Sequence, residues 1–542
     1  MPKITRPLSR SFPVHPHSRL RFCGGVFLAL AWLALSPAQA QTTNYALGTT
    51  SVLVGPAAGS NSVVLAVAPN SATWTATTNA TWLHLSPANQ SGAGSTNVIF
   101  SYDANPSQTR SNTLTIAGQT LTVTQAGSTY VAAGTVTALV SFGLDYPCGL
   151  AVEGTGNVYI ADTLNSVIKE WTPANSTVTT LVSSGLDLPQ GVAADSAGHI
   201  YIADTAHSAI KECMAAHSQL MTLVSTGLYF PHSVAVDGAG NVYIADTENS
   251  AIKEWTAAYS QLLTLVSSGL SSPYSVAVDG VGNVYIADSE NSAIKQWTAA
   301  NGSVNTLVSS GLFFPTGVAV DGAGNVYIAD TDNGAIKQWT AANSDVITLV
   351  AAGLYYPRSV AVDGAGNIYI ADCGNNAIKE LPYAFVDPTP KLENGTAGDD
   401  ALPVVLPATA NLLPPFAPTS DQSWLTITGV TNGVVSFAFP ANPGPGRTAH
   451  ICLLGQAIPV TQVFFGPPQI LTALPVQGNG VFQFAFGNTQ SASFTVLSAT
   501  NLSLPLSNWT VVGTASNIAP ELFEFTDPQA TNPQRFYRVR SP

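Results

Sequence analysis

An all-β chain, with a six-bladed β-propeller at its centre and β-sandwich modules on either side, is predicted by three features of this 542-residue sequence. The tetrapeptide YIAD begins at Tyr159, Tyr201, Tyr243, Tyr285, Tyr327 and Tyr369, six equally spaced starts with no insertion between them. A fixed period of roughly 40 residues marks a repeat architecture. Inside each period the apolar residues alternate as in strands, with Gly-rich turns between them. Composition agrees: 46% hydrophobic and only 9% charged residues, with 45 Gly and 36 Pro, suit short strands and tight turns better than long charged helices. Single hydrophobic cores stop growing at roughly 250–300 residues, so several domains are expected.

The segment from Met1 to Ala40 reads as a signal peptide. Lys3, Arg6, Arg10, Arg19 and Arg21 form a basic region, Phe22 to Leu35 an apolar stretch too short to span a bilayer, and Ala38-Gln39-Ala40 a small-residue cleavage site. This predicts a secreted, periplasmic or cell-surface protein of bacterial type, cut after Ala40, with no membrane insertion afterwards. Cleavage removes five of the 18 basic residues and none of the 31 acidic ones, which takes the net charge from −13 to −18. Such a chain is not expected to bind nucleic acid or an anionic membrane through its charge.

One repeat shows how the ring is built. "SVAV" (Ser233 to Val236), the turn "DGAGN" and "VYIA" (Val242 to Ala245) form a hairpin; "AIKEW" (Ala251 to Trp255) and "QLLTLV" (Gln261 to Val266) add a third and a fourth strand. The last unit stops at "AIKELPYAF" without a fourth strand, whereas an orphan fourth-strand sequence, "TVTALV" (Thr135 to Val140), precedes the first. The N-terminal strand is expected to complete the last blade and remove the exposed edges. Through Pro-x-[Ser/Gly]-Val-Ala-Val-Asp, Gly-Asn-Val-Tyr-Ile-Ala-Asp and Asn-x-x-Ile-Lys, the stretch from about Thr135 to Phe385 resembles the NHL-repeat family of six-bladed propellers. That resemblance implies a fold shared by protein-binding and RNA-binding modules, receptor sensor domains and related lyases.

A second internal repeat brackets the ring. Trp82, Asn105, Arg110 and Gln125 correspond to Trp424, Asn442, Arg447 and Gln462, and the step from Arg to Gln is the same in both copies. With their Trp-Leu, Asn-Pro-x-x-x-Arg and Val-Thr-Gln marks, these segments resemble the BACON domain, an immunoglobulin-like module of secreted bacterial proteins whose family name reflects a proposed carbohydrate-binding role. Trp82 and Trp424 are expected as core anchors between two sheets, with sugar stacking the minority alternative. The organisation expected is a signal peptide (1–40), a first BACON-like sandwich (41–128), the propeller (129–385), a second BACON-like sandwich (386–465) and a C-terminal β-rich module (466–542).

Repetition also separates framework from site. The YIAD aspartates (Asp162, Asp204, Asp246, Asp288, Asp330, Asp372) are expected to hold their turns through bonds to their own backbone, and the six lysines of the third strands to be solvated or Asp-paired. "DGAGN" needs nothing beyond a turn with Gly at positive φ and lacks the carboxylate pattern of a calcium loop. The position directly after the blade proline differs in every unit: Cys148, Gln190, His232, Tyr274, Thr316 and Arg358. Aromatics precede the same prolines at Tyr229, Phe230, Phe313, Phe314, Tyr355 and Tyr356. Propeller connectivity places this ring around one mouth of the central channel, where it would suit a polar ligand or peptide; neutral drift on an exposed loop is the competing explanation.

No catalytic residue, metal or other cofactor is expected. The first strands read as an apolar channel wall, only His232 and His207 stand near the mouth as ligands, and HExxH, G-x-S-x-G and Cys-x-x-Cys are absent from the sequence. Cys148 and Cys373 fall on one face across the closure seam and are candidates for a disulfide; Cys213 and Cys452 are expected as buried thiols. The function predicted is a secreted, non-enzymatic binding or scaffold protein whose propeller mouth takes an extracellular glycan, peptide or protein. The alternatives are an extracellular propeller lyase or hydrolase, with or without a metal, and a structural protein of the cell envelope.

Overall fold

Each repeat unit forms a four-stranded antiparallel sheet, and six of them make the propeller. The computed structural model describes residues 42–214, 219–463, 469–474, 481–487, 494–519, 522–528 and 535–540; the predicted signal peptide and its cleavage site lie outside the described residues. In the third blade the strands are Pro231–Val236, Val242–Asp246, Ala251–Thr256 and Gln261–Val266, paired in that order. The second strand is buried at every residue. It is covered by a neighbouring blade on each face, so its sequence does not alternate and is mainly apolar up to the buried Asp246 at its end. Ile244 packs with Val234 and Val242 against Ala203 of the preceding blade, and full burial of such a side chain stabilises by about 1.5–3 kcal/mol.

The "DGAGN" hairpin closes on its own aspartate. Asp237 Oδ1 accepts the Ala239 and Asn241 N–H groups at 2.9 Å, Oδ2 accepts from Asn241 Nδ2 at 2.9 Å and from the Tyr243 hydroxyl at 3.2 Å, and Gly240 takes φ +81°. Here φ is positive and glycine is the residue without a Cβ penalty.

Ring closure uses both ends of the array. Thr137–Val140 pairs antiparallel with Ala377–Leu381 as the fourth strand of the last blade. Val140, Leu150, Ile160 and Trp171 then share one core with Tyr369, Ala371 and Ile378. Five of the six blade junctions carry the same hydroxyl bond: Thr163, Thr205, Thr247, Ser289 and Thr331 donate to the carbonyls of Pro189, Pro231, Pro273, Pro315 and Pro357 at 2.6–2.8 Å. At the sixth, Cys373 occupies that position.

Two sheets with a common core flank the ring on its N-terminal side, Val63, Leu65, Trp74, Phe100, Leu114 and Val123 lying between them. A second such pair, with Val435, Phe437, Ile451 and Ile458 inside, follows the ring. Further on, described strands between 469 and 540 gather around Phe484, Phe486, Phe494, Phe523 and Phe525. The shared marks of the two sandwiches form one polar knot. Arg110 and Gln125 are cross-strand partners, as are Arg447 and Gln462, which accounts for the common step from Arg to Gln. Arg110 Nε donates to Gln125 Oε1 at 2.9 Å and Arg447 Nε to Gln462 Oε1 at 3.0 Å. Each guanidinium stacks on its tryptophan, 4.4 Å from Trp82 and 4.3 Å from Trp424. Both tryptophans are therefore half-buried shelves under an arginine, packed against the core rather than enclosed between sheets.

The N-terminal sandwich sits on the face of the propeller formed by the "DGAGN" turns. Val64 N–H donates to Gly322 O at 3.0 Å, Ser62 Oγ to Ala323 O at 2.6 Å and the Tyr383 hydroxyl to Leu53 O at 2.7 Å. Gly48 and Gly322 meet backbone to backbone, so closely that a Cβ on Gly48 would lie 2.4 Å from the Gly322 carbonyl oxygen. The second sandwich touches the same face, where Ser176 Oγ donates to Pro414 O at 2.7 Å. No described helix is long and apolar enough to cross a membrane.

Candidate functional site

The opposite face carries the loops that join the fourth strand of one blade to the first strand of the next. Each loop is held from below by the YIAD aspartate. Asp246 Oδ1 accepts the Tyr229 N–H at 2.7 Å, and the same bond recurs from Asp145, Asp187, Ser271, Phe313 and Tyr355 to the aspartates of their blades. Asp246 Oδ2 accepts from Asn249 Nδ2 at 2.8 Å and pairs with Lys253 Nζ at 2.6 Å, while Lys253 also reaches the Gly227 carbonyl. All six aspartates are fully buried and Lys-paired. The expectation of bonds to their own backbone is corrected in the partner: each carboxylate reaches its turn through a side chain such as Asn249 and also holds a loop from the far side of a whole hairpin, as Asp246 holds Tyr229, a link that local sequence does not display.

Every residue before a blade proline is left-handed. Tyr146, Leu188, Phe230, Ser272, Phe314 and Tyr356 have φ between 45° and 55°, a conformation that costs energy for bulky side chains and for residues preceding proline. Hydrogen bonds to the previous blade hold several of them there, as from Leu188 N–H to Ser166 Oγ at 3.3 Å, Phe230 N–H to Ser208 Oγ at 3.2 Å and Tyr146 N–H to Asn376 Oδ1 at 2.7 Å. The rim is consequently a preorganised backbone that displays side chains.

Next in each blade comes a register shift between the proline and the residue two positions on, so the variable residue is a bulge that the ladder leaves unpaired. Bulges re-aim side chains. Here they bring Cys148, Gln190, His232, Tyr274, Thr316 and Arg358 to one cavity of about 70 Å³ at the channel mouth. A water needs about 10–15 Å³ of such space and drug-sized ligands occupy about 300–1,000 Å³ pockets, so the cavity admits a small polar group and not a whole ligand.

The wall is more polar than the sequence implied. Ser233, Ser275 and Ser359 line it alongside Val192, Val234 and Val276, because the bulge sends two consecutive residues of each strand toward the channel. The serines also tie blade to blade: Ser233 Oγ accepts the Val276 N–H at 3.3 Å and Ser359 Oγ the Leu150 N–H at 3.4 Å. Where glycine replaces serine, a neighbouring strand presses in, and a Cβ on Gly191 would lie 2.6 Å from the His232 carbonyl oxygen.

Individual side chains differ in availability. Thr316 is committed to the fold, its hydroxyl 2.6 Å from Thr331 Oγ1 and 2.9 Å from Arg358 O. His232 packs 4.5 Å from Tyr274, which in turn lies 5.4 Å from Phe314. Burial, reinforced by the Arg358 charge, pushes the His232 pKa down to about 4, and its buried Nδ1 has no hydrogen-bond partner. Arg358 lies 5.2 Å from the ring of Tyr146, a residue absent from the sequence-based candidates although it occupies the same register position as Phe230. Of the aromatics, Tyr229, Phe230, Phe313, Tyr355 and Tyr356 stand exposed on the loops outside the cavity lining, and Phe314 is half-buried. His207 is also outside it, 2.8 Å from Asp204. No group of three or more metal-ligating side chains is found among the described residues.

Cys148 and Cys373 are free thiols with sulfurs 3.7 Å apart. The contact with Cys148, followed by burial, raises the Cys373 pKa, while the hydrogen bond from Cys373 lowers that of Cys148. Cys213 is buried. Cys452 is exposed, contrary to expectation, because it falls on the outward side of a strand whose Ile451 and Leu453 face the core.

Family models match parts of the propeller and of the first sandwich. The NHL repeat model matches residues 186–213, 228–255, 314–339 and 354–381. The BACON model, described as "Putative binding domain, N-terminal", matches residues 72–126. No curated protein matches the chain. Among solved structures, a protein of unknown function from Bacteroides thetaiotaomicron is 16% identical with a TM-score of 0.42, covering 64% of this chain and 98% of its own. An auxiliary nutrient binding protein from Bacteroides ovatus is 12% identical with a TM-score of 0.40, over 62% and 96%. A virginiamycin B lyase from Staphylococcus aureus is 14% identical with a TM-score of 0.36, over 47% and 92%. With NHL repeats matched in four of the six four-stranded sheets and a BACON match in the first sandwich, the chain carries NHL repeats in a β-propeller together with a BACON domain.

Proposed function

We propose that the chain is a secreted, non-enzymatic binding protein whose propeller holds part of a glycan, peptide or protein ligand on its open mouth. The supporting observation is that the six side chains left free by the repeat line one cavity, on a rigid rim bearing exposed Tyr229, Phe313 and Tyr355 at 52%, 57% and 56%. Aromatic side chains of this kind give large contact area at small entropic cost. The sandwiches occupy the other face, which leaves the mouth as the propeller's binding surface and gives the sandwiches a carrier role.

The test is an array of glycans and extracellular proteins probed with the full chain and with Tyr274→Ala and Tyr355→Ala variants. Specific binding that the variants weaken is expected. Silence across the array, or binding indifferent to both substitutions, would end the proposal. Export is part of it and is read by N-terminal sequencing of the exported protein, which should begin at Gln41.

A further inference from the structure

The chemistry of the mouth narrows the ligand further, on the reading that the mouth is a binding site. The propeller has seven basic side chains. Six are the blade lysines, each paired with a buried aspartate at 2.5–2.6 Å. The seventh is Arg358, which makes no ion pair among the described residues and whose buried Nε has no hydrogen-bond partner. No carboxylate lines the cavity around it. In a chain of net charge −13, with 31 acidic residues to 18 basic ones, a cationic pocket free of acids is not a consequence of composition. A largely buried charge without a counter-charge costs several kcal/mol, and an anionic group of a ligand would offset that cost.

We infer that the mouth cavity receives a carboxylate of the ligand, with Arg358 as its ion-pairing anchor and Gln190 and Tyr274 as neutral hydrogen-bond donors. The three side chains line the same small space, and its size fits such a group while the rest of the ligand lies on the aromatic rim. Arginine offers a planar fork that meets both oxygens of a carboxylate, a geometry in which lysine is no substitute. An acidic sugar and the C-terminus of a peptide both present this group.

The experiment is calorimetric titration of the full chain with two matched pairs, D-glucuronate against D-glucose and N-acetylphenylalanine against its C-terminal amide. In at least one pair the acid should bind roughly tenfold or more tightly than its neutral partner, and the pair that responds identifies the source of the carboxylate. Arg358→Gln should abolish that preference without lowering the melting temperature, with Arg358→Lys recovering it in part. Cys452→Ser, which removes an exposed thiol of the second sandwich, should leave it intact. Equal affinity within both pairs, no acid bound at millimolar concentration, or a preference that survives Arg358→Gln would each overturn the inference; the wild-type comparison stands even if a variant fails to fold. A neutral ligand found on the array and lost with Tyr274→Ala would leave the binding function standing and remove only the carboxylate.

Discussion

Two classes of position sit side by side in every blade and obey opposite rules. Framework residues such as Ile244, Asp246 and Lys253 recur six times because each closes a contact that every blade needs: a core position shared with the neighbour, a loop N–H, a lysine charge. The bulged residue after the proline has no ladder partner and differs each time. What the difference teaches is that the blade ladder closes without the bulged side chains, of which only Thr316 and Cys148 are tied into the junctions between blades.

Breaking the framework should cost most. Asp246→Ala strands the Lys253 charge and the Tyr229 N–H in a buried site, and a loss of about 3–5 kcal/mol is expected; Gln190→Ala, in the bulge ring, should stay within about 0.5 kcal/mol. Comparable denaturant midpoints for the two variants would contradict the distinction.

Blade six shares its third-strand glutamate with blades one to three (Glu170, Glu212, Glu254), but only Glu380 is buried. Burial, then Asp363, raises its pKa to about 8 from 4.5, and blades four and five carry Gln296 and Gln338 at the same register. A raised carboxyl contributes its stability below the unfolded pKa and loses it as pH climbs through the folded one. The parent should therefore weaken between pH 4.5 and 8, by about 3 kcal/mol at pH 7. Glu380→Gln should reduce that slope by Glu380's share, Glu170 and Glu254 being raised by burial as well, and parallel stability–pH curves would refute the assignment.

His232 tests the variable ring in the opposite direction. Its folded pKa is depressed, so its stability is present above the unfolded value of 6.5 and is lost as pH falls toward 4. Relative to His232→Gln, the parent should lose about 2 kcal/mol by pH 5. Identical acid sensitivity would place His232 in a wetter site.

The mildest contrast is between the seams. Five are bridged by a hydroxyl and the sixth by two thiols. Under oxidising conditions a Cys148–Cys373 peptide should appear by mass spectrometry. Because the last blade is already closed by its N-terminal strand, reduction should lower the melting temperature by only about 2–4 °C. Absence of the linked peptide under oxidant would show that the pair stays reduced.

Much of the fold was legible in the sequence because its cause is local and repeated. "VYIA" does not alternate since both its faces are covered, and the repeat period carries the hairpins with it. The candidate site was legible only as a list of the residues that the repeat fails to preserve. Tyr146 is hard to see in the sequence since it is one aromatic in a row otherwise read by pairs. The serines are hidden in "SVAV", where strand alternation alone does not show that a bulge turns two neighbours to one side.

The sequence by itself determined the strands, their turns and the number of blades, which follow from side-chain period and turn chemistry within each unit. The tertiary structure alone decided which aspartate oxygen holds which loop, that one face is covered by the sandwiches, and that Arg358 is left without an acid. Those outcomes depend on groups that approach only when the ring closes, and a chain read residue by residue carries no record of such distances.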